Sequence, residues 1–262
     1  MQNDVMFAEE RKIKIVEYIQ EHKKASVAEL CSEYAVSSAT IRNDLRELEE
    51  TGSIIRTHGG ALVKTKTGLE LTTKQKRITN PGEKKKIAAA ALDFVENGDT
   101  IIIDTGTTTI ELARLLQKKE NITVVTNDLS IASVLEDFSG IMVILMGGNL
   151  RKGFHCTVGA GGKTLLSGLT VDKAFMGANG FTFEKGATTP DLQHAETKKM
   201  MVAIAEQVIL LCDQTKIGRN AFAQFASIED IDIMITDKLQ KEEIARLTEE
   251  GISVVEAEGI VT

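Results

Sequence analysis

Five short apolar runs recur through the last two-thirds of the chain: Ile101-Ile102-Ile103, Ile122-Thr123-Val124-Val125, Ile141-Met142-Val143-Ile144-Leu145, Val208-Ile209-Leu210-Leu211 and Ile231-Asp232-Ile233-Met234-Ile235. Each is too short for a helix and too continuous for a strand with one wet face. Runs of this kind are the mark of strands buried on both sides, as in a parallel sheet covered by helices. Between most of them lie stretches such as 110–117 and 129–138, long enough for crossover helices. The spacing therefore predicts an α/β domain with a mainly parallel sheet.

The first 63 residues read differently. Ile13, Val16 and Ile19 fall near helical spacing within residues 9–22. Ser26 followed by Glu29 has the form of a capping box ahead of Leu30, Cys31 and Tyr34, which predicts a short second helix. Ser37 or Ser38 then caps a third helix running to about Glu50, with Gly52 as its stop. Residues 53–58 and 61–63 are two short strands about a Gly59-Gly60 turn. Three helices and a hairpin make a small winged helix-turn-helix domain. Residues 64–82 carry few large apolar side chains and several threonines, and read as a basic linker between this domain (residues 1–63) and the α/β domain (residues 83–262).

On the third helix Ile41, Leu45 and Leu48 share one face, so Ala39, Arg42, Asn43 and Arg46 point away from it. A recognition helix needs that division: an apolar side for docking and a polar N-terminal half for the major groove. Arg can pair with guanine and Asn with adenine, while Ser37, Ser38 and Thr40 suit phosphate oxygens at the helix start. Arg56, His58 and Lys64 on the hairpin would meet neighbouring backbone. Alone, such a helix reads more readily as a surface helix whose arginines pair with Asp44, Glu47, Glu49 or Glu50. The Ser-rich turn, Arg-bearing helix and Gly-Gly wing together favour double-stranded DNA.

In the α/β domain, Asp104-Thr105-Gly106-Thr107-Thr108-Thr109 leaves the first strand and opens a helix. Gly106 allows close approach of backbone amides, and Thr107, Thr108 and Thr109 add hydroxyls at a helix start, as an anion cradle requires. A threonine-capped structural turn has the same sequence. Other strand ends carry Thr126-Asn127, Gly147-Gly148 and Asp213-Gln214-Thr215-Lys216. Parallel sheets bind ligands at their carboxyl ends, so these groups could share one crevice. There Lys216 could neutralise a phosphate and Asp104 or Asp213 could accept from sugar hydroxyls.

The segment Val36-Ser37-Ser38-Ala39-Thr40-Ile41-Arg42-Asn43-Asp44-Leu45, followed by Gly52 and Arg56-Thr57-His58-Gly59-Gly60-Ala61, resembles the signature of DeoR-type bacterial regulators, and the likeness extends over nearly the whole chain. The family usually has a second Arg where this chain has Asn43, a departure that bears on the operator sequence read. The resemblance implies a ribose-5-phosphate-isomerase-like fold for the second domain and a phosphorylated sugar as the effector that weakens operator binding. It implies effector contacts at Asp104, Gly106 to Thr109, Thr126, Asn127, Gly147, Gly148, Glu196, Lys198, Asp213 and Lys216. It also implies a carbohydrate-utilisation operon as the target, with repression the usual mode. The competing reading is a sugar-phosphate isomerase with an accessory domain. Related isomerases carry an acid-rich Asp-Gly-Ala-Asp-Glu segment, and the similar Met176-Gly177-Ala178-Asn179-Gly180 lacks those carboxylates. Glu196 remains as a base without acidic company. No catalytic set is therefore expected.

Charge distribution fits one local polyanion contact. The chain carries −7 overall, yet residues 54–86 hold nine Lys/Arg against two acids, a local +7 that leaves −14 for the rest. A solvated lysine-rich linker would look the same. Cys31, Cys156 and Cys212 form no CxxC pair, so neither disulfides nor a metal site are expected, and no cofactor is implied. No apolar run approaches the ~18 residues of a membrane span, and Asp4, Glu9, Glu10 and Arg11 break any signal-peptide core, which predicts a cytoplasmic chain with no membrane partner. Because one small winged domain contacts too little DNA for specificity, a homodimer or homotetramer is expected.

Overall fold

The computed structural model describes residues 7–50, 53–63 and 70–257. The chain divides into two units, Met1–Ile78 and Thr79–Thr262. Gly52 and Lys64 lie outside the described residues.

In the first unit, helix α1 (Ala8–His22) leads through strand β1 (Lys24–Ser26) to α2 (Val27–Tyr34) and α3 (Ser38–Glu50), then to strands β2 (Ile54–Thr57) and β3 (Gly60–Val63) and helix α4 (Thr73–Ile78). The expected capping box is present: the Glu29 amide donates to Ser26 Oγ (3.1 Å) and the Ser26 amide to Glu29 Oε2 (2.6 Å). Ile15, Val16, Ile19, Leu30, Ile41, Leu45, Leu48, Ile54 and Ala61 form its core. The hairpin differs in one detail from the expected Gly-Gly turn. Thr57 pairs with Gly60, so His58 and Gly59 make the turn and Gly60 already belongs to β3. Gly60 is needed there because β1 adds a third strand beside β3, and a Cβ on Gly60 would stand 2.0 Å from the Ala25 carbonyl oxygen. Within the stretch read as linker, residues 64–69 lie outside the described residues, Thr73–Ile78 form α4, and Pro81 opens the next helix.

The second unit runs α5 (Pro81–Leu92), β4 (Thr100–Ile103), α6 (Thr109–Leu115), β5 (Ile122–Thr126), α7 (Leu129–Leu135), β6 (Ile141–Leu145), β7 (Asn149–Arg151), β8 (Cys156–Val158), α8 (Ala160–Leu166), β9 (Val171–Gly177), β10 (Gly180–Thr182), β11 (Gly186–Thr189), α9 (Leu192–Ala203), β12 (Ala205–Leu211), β13 (Ala223–Ala226), β14 (Ile233–Thr236), α10 (Lys241–Glu249) and β15 (Ser253–Glu256). Seven strands form a parallel sheet in the order β15-β14-β12-β9-β4-β5-β6. Both faces are covered, which is why the strands read as unbroken apolar runs. Ile101, Ile103, Val124, Phe175, Ile209 and Ile235 pack with residues of α5, α6 and α7. Ile102, Val125, Ala174, Met176, Leu210 and Met234 pack with residues of α8, α9, α10 and the small antiparallel sheet β10-β11-β13.

Two sheet strands were absent from the sequence expectation, and one of them, β9, stands at the centre. Its start, Val171-Asp172-Lys173, is not apolar. Asp172 accepts from the Thr100 amide at 2.7 Å, and Lys173 pairs with Asp99 at 2.7 Å. The chain proceeds from β4 to β5 on one side and later to β9 on the other, so strand order reverses between β4 and β9. That crevice is where an open parallel sheet binds ligands. Among the described residues no helix is long and apolar enough to cross a membrane.

Candidate functional site

Each unit presents one candidate site. In the first, α3 buries Ile41, Leu45 and Leu48 as its periodicity predicts, and also Asp44. Arg11 of α1 grips that carboxylate with two bonds, Nε to Oδ2 at 2.7 Å and Nη2 to Oδ1 at 3.2 Å. Lys12 reaches Glu9 (2.7 Å) and Glu47 (2.6 Å). Burial works against the Lys12 charge, but these two carboxylates outweigh it and raise its pKa above the ordinary value. Ser37 is the helix cap: its Oγ accepts from the Thr40 amide (3.2 Å) and lies 2.9 Å from the Thr40 hydroxyl. Ser38, Ala39, Arg42, Asn43 and Arg46 are exposed together on the face opposite the core, with Thr40 half-buried beside them. On the wing His58 is exposed, and Arg56 lies 3.6 Å from Glu49. Lys76 pairs with Glu70 (2.6 Å), and Lys84 belongs to the second unit, where it is buried and donates to the Thr79 carbonyl.

The second site lies at the β4–β9 crevice. The loop after β4 places Thr105 and Gly106 half-buried, and Thr107, Thr108 and Thr109 buried. Among the described residues, none accepts a hydrogen bond from the amides of residues 105–109. Buried amides are nearly always paired, so this run is a set of donors the fold does not consume. The Thr109 hydroxyl bonds the Gly106 carbonyl (3.1 Å), and a Cβ on Gly106 would stand 3.0 Å from that hydroxyl.

Asp104 is fully buried. Its Oδ2 accepts from the Gly177 amide (3.0 Å) and from Lys198, which also donates to the Gly177 carbonyl (2.9 Å). His194 Nε2 lies 3.7 Å from Asp104 Oδ1. Burial disfavours the charged carboxyl, yet Lys198 and His194 hold its pKa below the ordinary value. Lys198 is therefore brought to Asp104, as a clamp across β4, β9 and α9. Glu196, one turn face away on α9, is exposed and pairs with Lys163 of α8 at 2.7 Å. It is not brought to the other expected residues.

At the neighbouring strand ends Thr126 and Asn127 are fully buried. Asn127 Nδ2 donates to the Thr157 carbonyl (2.9 Å), while its Oδ1 is buried without a hydrogen-bond partner among the described residues. Asp128 caps α7 through the Ser130 and Ile131 amides (2.7 and 3.1 Å) and accepts the Thr105 hydroxyl, joining the β4 and β5 loops. Burial pushes the Asp128 carboxyl up despite those donors. Gly147 and Gly148 are exposed, and Gly148, at φ 146°, passes so close to β8 that a Cβ would stand 2.5 Å from the Val158 carbonyl oxygen. Beyond β12, Asp213 accepts from the Thr215 amide (3.0 Å) and hydroxyl and from Asn80 (3.3 Å). Burial opposes its ionisation, but the Lys216 charge and the Thr215 donors keep its carboxyl below the ordinary value. Sequence reasoning did not single out Asn80, Asp128 or His194. Only the Asn80-Pro81 helix start carried a signal for any of them.

Residues 11–67 match the DeoR-like helix-turn-helix domain, and residues 79–238 the DeoR C terminal sensor domain. The chain is 39% identical to the HTH-type transcriptional regulator GlpR of Haloferax volcanii, over 96% of this chain and 98% of that one. It is 36% identical to the HTH-type transcriptional repressor GlcR of Bacillus subtilis, over 89% and 90%. Among solved structures, ribose 5-phosphate isomerase A of Methanocaldococcus jannaschii resembles 53% of this chain and 55% of its own, at 18% identity and a TM-score of 0.41. With an exposed Arg-bearing helix in one unit, a strand-end crevice in the other and both domain matches in that order, the chain belongs to the DeoR family of DNA-binding transcriptional regulators.

Proposed function

We propose that this protein represses a carbohydrate-utilisation operon and is released from its operator by a phosphorylated sugar held at the β4–β9 crevice. The observation that carries the effector half is the run of unclaimed amides at residues 105–109 beside the unpaired Asn127 Oδ1. Amide donors at a helix start suit a phosphate, and a carboxamide oxygen suits a sugar hydroxyl. Asp213 and Lys216 flank the crevice beyond β12, while Gly147 and Gly148 border it beyond β6. Asp104 and Lys198 hold its floor together instead of touching the ligand.

In the DNA half, Ser38, Ala39, Thr40, Arg42, Asn43 and Arg46 meet the major groove, with Ser37, Arg56 and His58 near phosphates. Two copies read adjacent half-sites, and effector binding favours an arrangement whose spacing no longer fits. The decisive test is a thermal-shift panel of phosphorylated sugars, each beside its unphosphorylated parent. Stabilisation by phosphorylated members alone is expected; equal shifts from the parents, or none across the panel, overturn the effector assignment. Sedimentation with and without DNA tests the dimer. The isomerase reading finds little support, because Glu196 is spent on Lys163 at the surface; measurable aldose–ketose turnover by the purified protein would revive it.

A further inference from the structure

The exposed amide of Asn43 is held from both ends. Its Nδ2 donates to Glu47 Oε1 at 2.9 Å, and its Oδ1 accepts from Arg46. Glu47 is itself anchored: its second oxygen accepts from Lys12 Nζ at 2.6 Å, and Lys12, only 7% exposed, is fixed by Glu9 at 2.7 Å. A chain of bonds thus runs from the buried root of α1 to an amide on the outward face of α3. The Lys12 bond also holds the Glu47 carboxyl below its ordinary pKa, so it stays an acceptor at neutral pH.

A carboxamide has two N–H donors and two lone pairs on oxygen. One of each is used here, which leaves one donor and one acceptor. That remainder complements adenine, which offers N7 as acceptor and N6–H2 as donor, and mismatches guanine, which offers two acceptors. An unrestrained amide turns over freely and points its oxygen either way. This one cannot turn without setting its NH2 against Arg46 and its oxygen against the Glu47 carboxylate. A carboxylate near a phosphate backbone is otherwise a liability, and Lys12 offsets its charge. We propose that Glu47, held by Lys12, is a specificity-determining positioning residue that fixes the Asn43 amide so that this helix position reads adenine. The proposal rests on the DNA-binding reading above.

The test selects sites from a randomised duplex pool with the full-length protein and measures relative affinities for every base at each position. Asn43→Ala identifies the position this residue reads. There the native protein is expected to prefer adenine over guanine by about tenfold, the scale of one good bidentate contact. Glu47→Ala should cut that preference to within about twofold at that position alone, since the lost restraint is worth no more than the contact it orients. Glu47→Gln, which keeps an acceptor oxygen, should restore most of it. In an Asn43→Ala background Glu47→Ala should change nothing further. An ordinary surface pair predicts otherwise: undiminished discrimination in Glu47→Ala, or an equal loss at all positions accompanied by a lower melting temperature. Either result overturns the proposal. If the native protein enriches no sequence, the DNA reading itself falls, a failure distinguishable from the first.

Discussion

Asp104 keeps its charge in a fully buried site because Lys198 and His194 stand against it and the Gly177 amide bonds it. Removing one partner strands the other, so Asp104→Asn and Lys198→Met should each cost about 3–5 kcal/mol, while the double variant recovers a large part. Denaturant unfolding of the sensor unit checks this. A depressed carboxyl contributes stability that is complete above the ordinary Asp value and is lost as pH falls through the lowered one. Acid titration of the midpoint should therefore show that loss in the native chain and lack it in the double variant. Gly60→Ala forces a methyl onto the Ala25 carbonyl and should lower the melting temperature, whereas Gly59→Ala meets nothing within 4 Å and should act far less through crowding. At this scale the sequence was a partial guide. Asp104 was legible as important because it ends an apolar run before Gly106. Its partners were not, since His194 and Lys198 lie on α9, with Lys198 94 residues away. The burial of Asp44 was likewise out of reach, because Arg11, 33 residues distant, takes it inside.

Among the elements, α3 depends on its cap. Ser37→Ala should cost about 1 kcal/mol by exposing the first-turn donors. Ser37→Asp should preserve stability, because a carboxylate caps equally well, yet weaken DNA binding through repulsion if this residue lies beside phosphate. Melting curves and binding isotherms on the same pair separate the two roles. Helices and apolar strands were readable because their patterns are local: the capping box, the Ile41/Leu45/Leu48 stripe and the β4, β5, β6, β12 and β14 runs. Strand β1 escaped notice because three residues carry no period. Strand β9 escaped because Asp172 and Lys173 make it look exposed, although neighbouring chain atoms claim both charges.

For the whole molecule, the two units should separate genetically. Arg42→Ala should abolish selective DNA binding and leave effector-induced stabilisation intact. Thr107→Val with Lys216→Met should abolish the thermal shift and leave DNA bound, giving a repressor that does not respond. Loss of both activities in either variant would refute a two-site protein. Bulk charge would have pointed away from nucleic acid, at −7, and only its distribution hinted otherwise.

The insertion of β9 between β4 and β12 carries a consequence for synthesis. Thr100 and Asp172, which meet where the middle strands begin, are 72 residues apart, so the heart of the sensor cannot zip until that much chain has emerged. The front unit, by contrast, closes its core from neighbours within its own first 61 residues. On the ribosome the operator-reading half should become protease-resistant well before its ligand-responsive half exists. Limited proteolysis of stalled nascent chains should therefore release a protected front fragment before β9 has emerged, and a protected sensor fragment only after it.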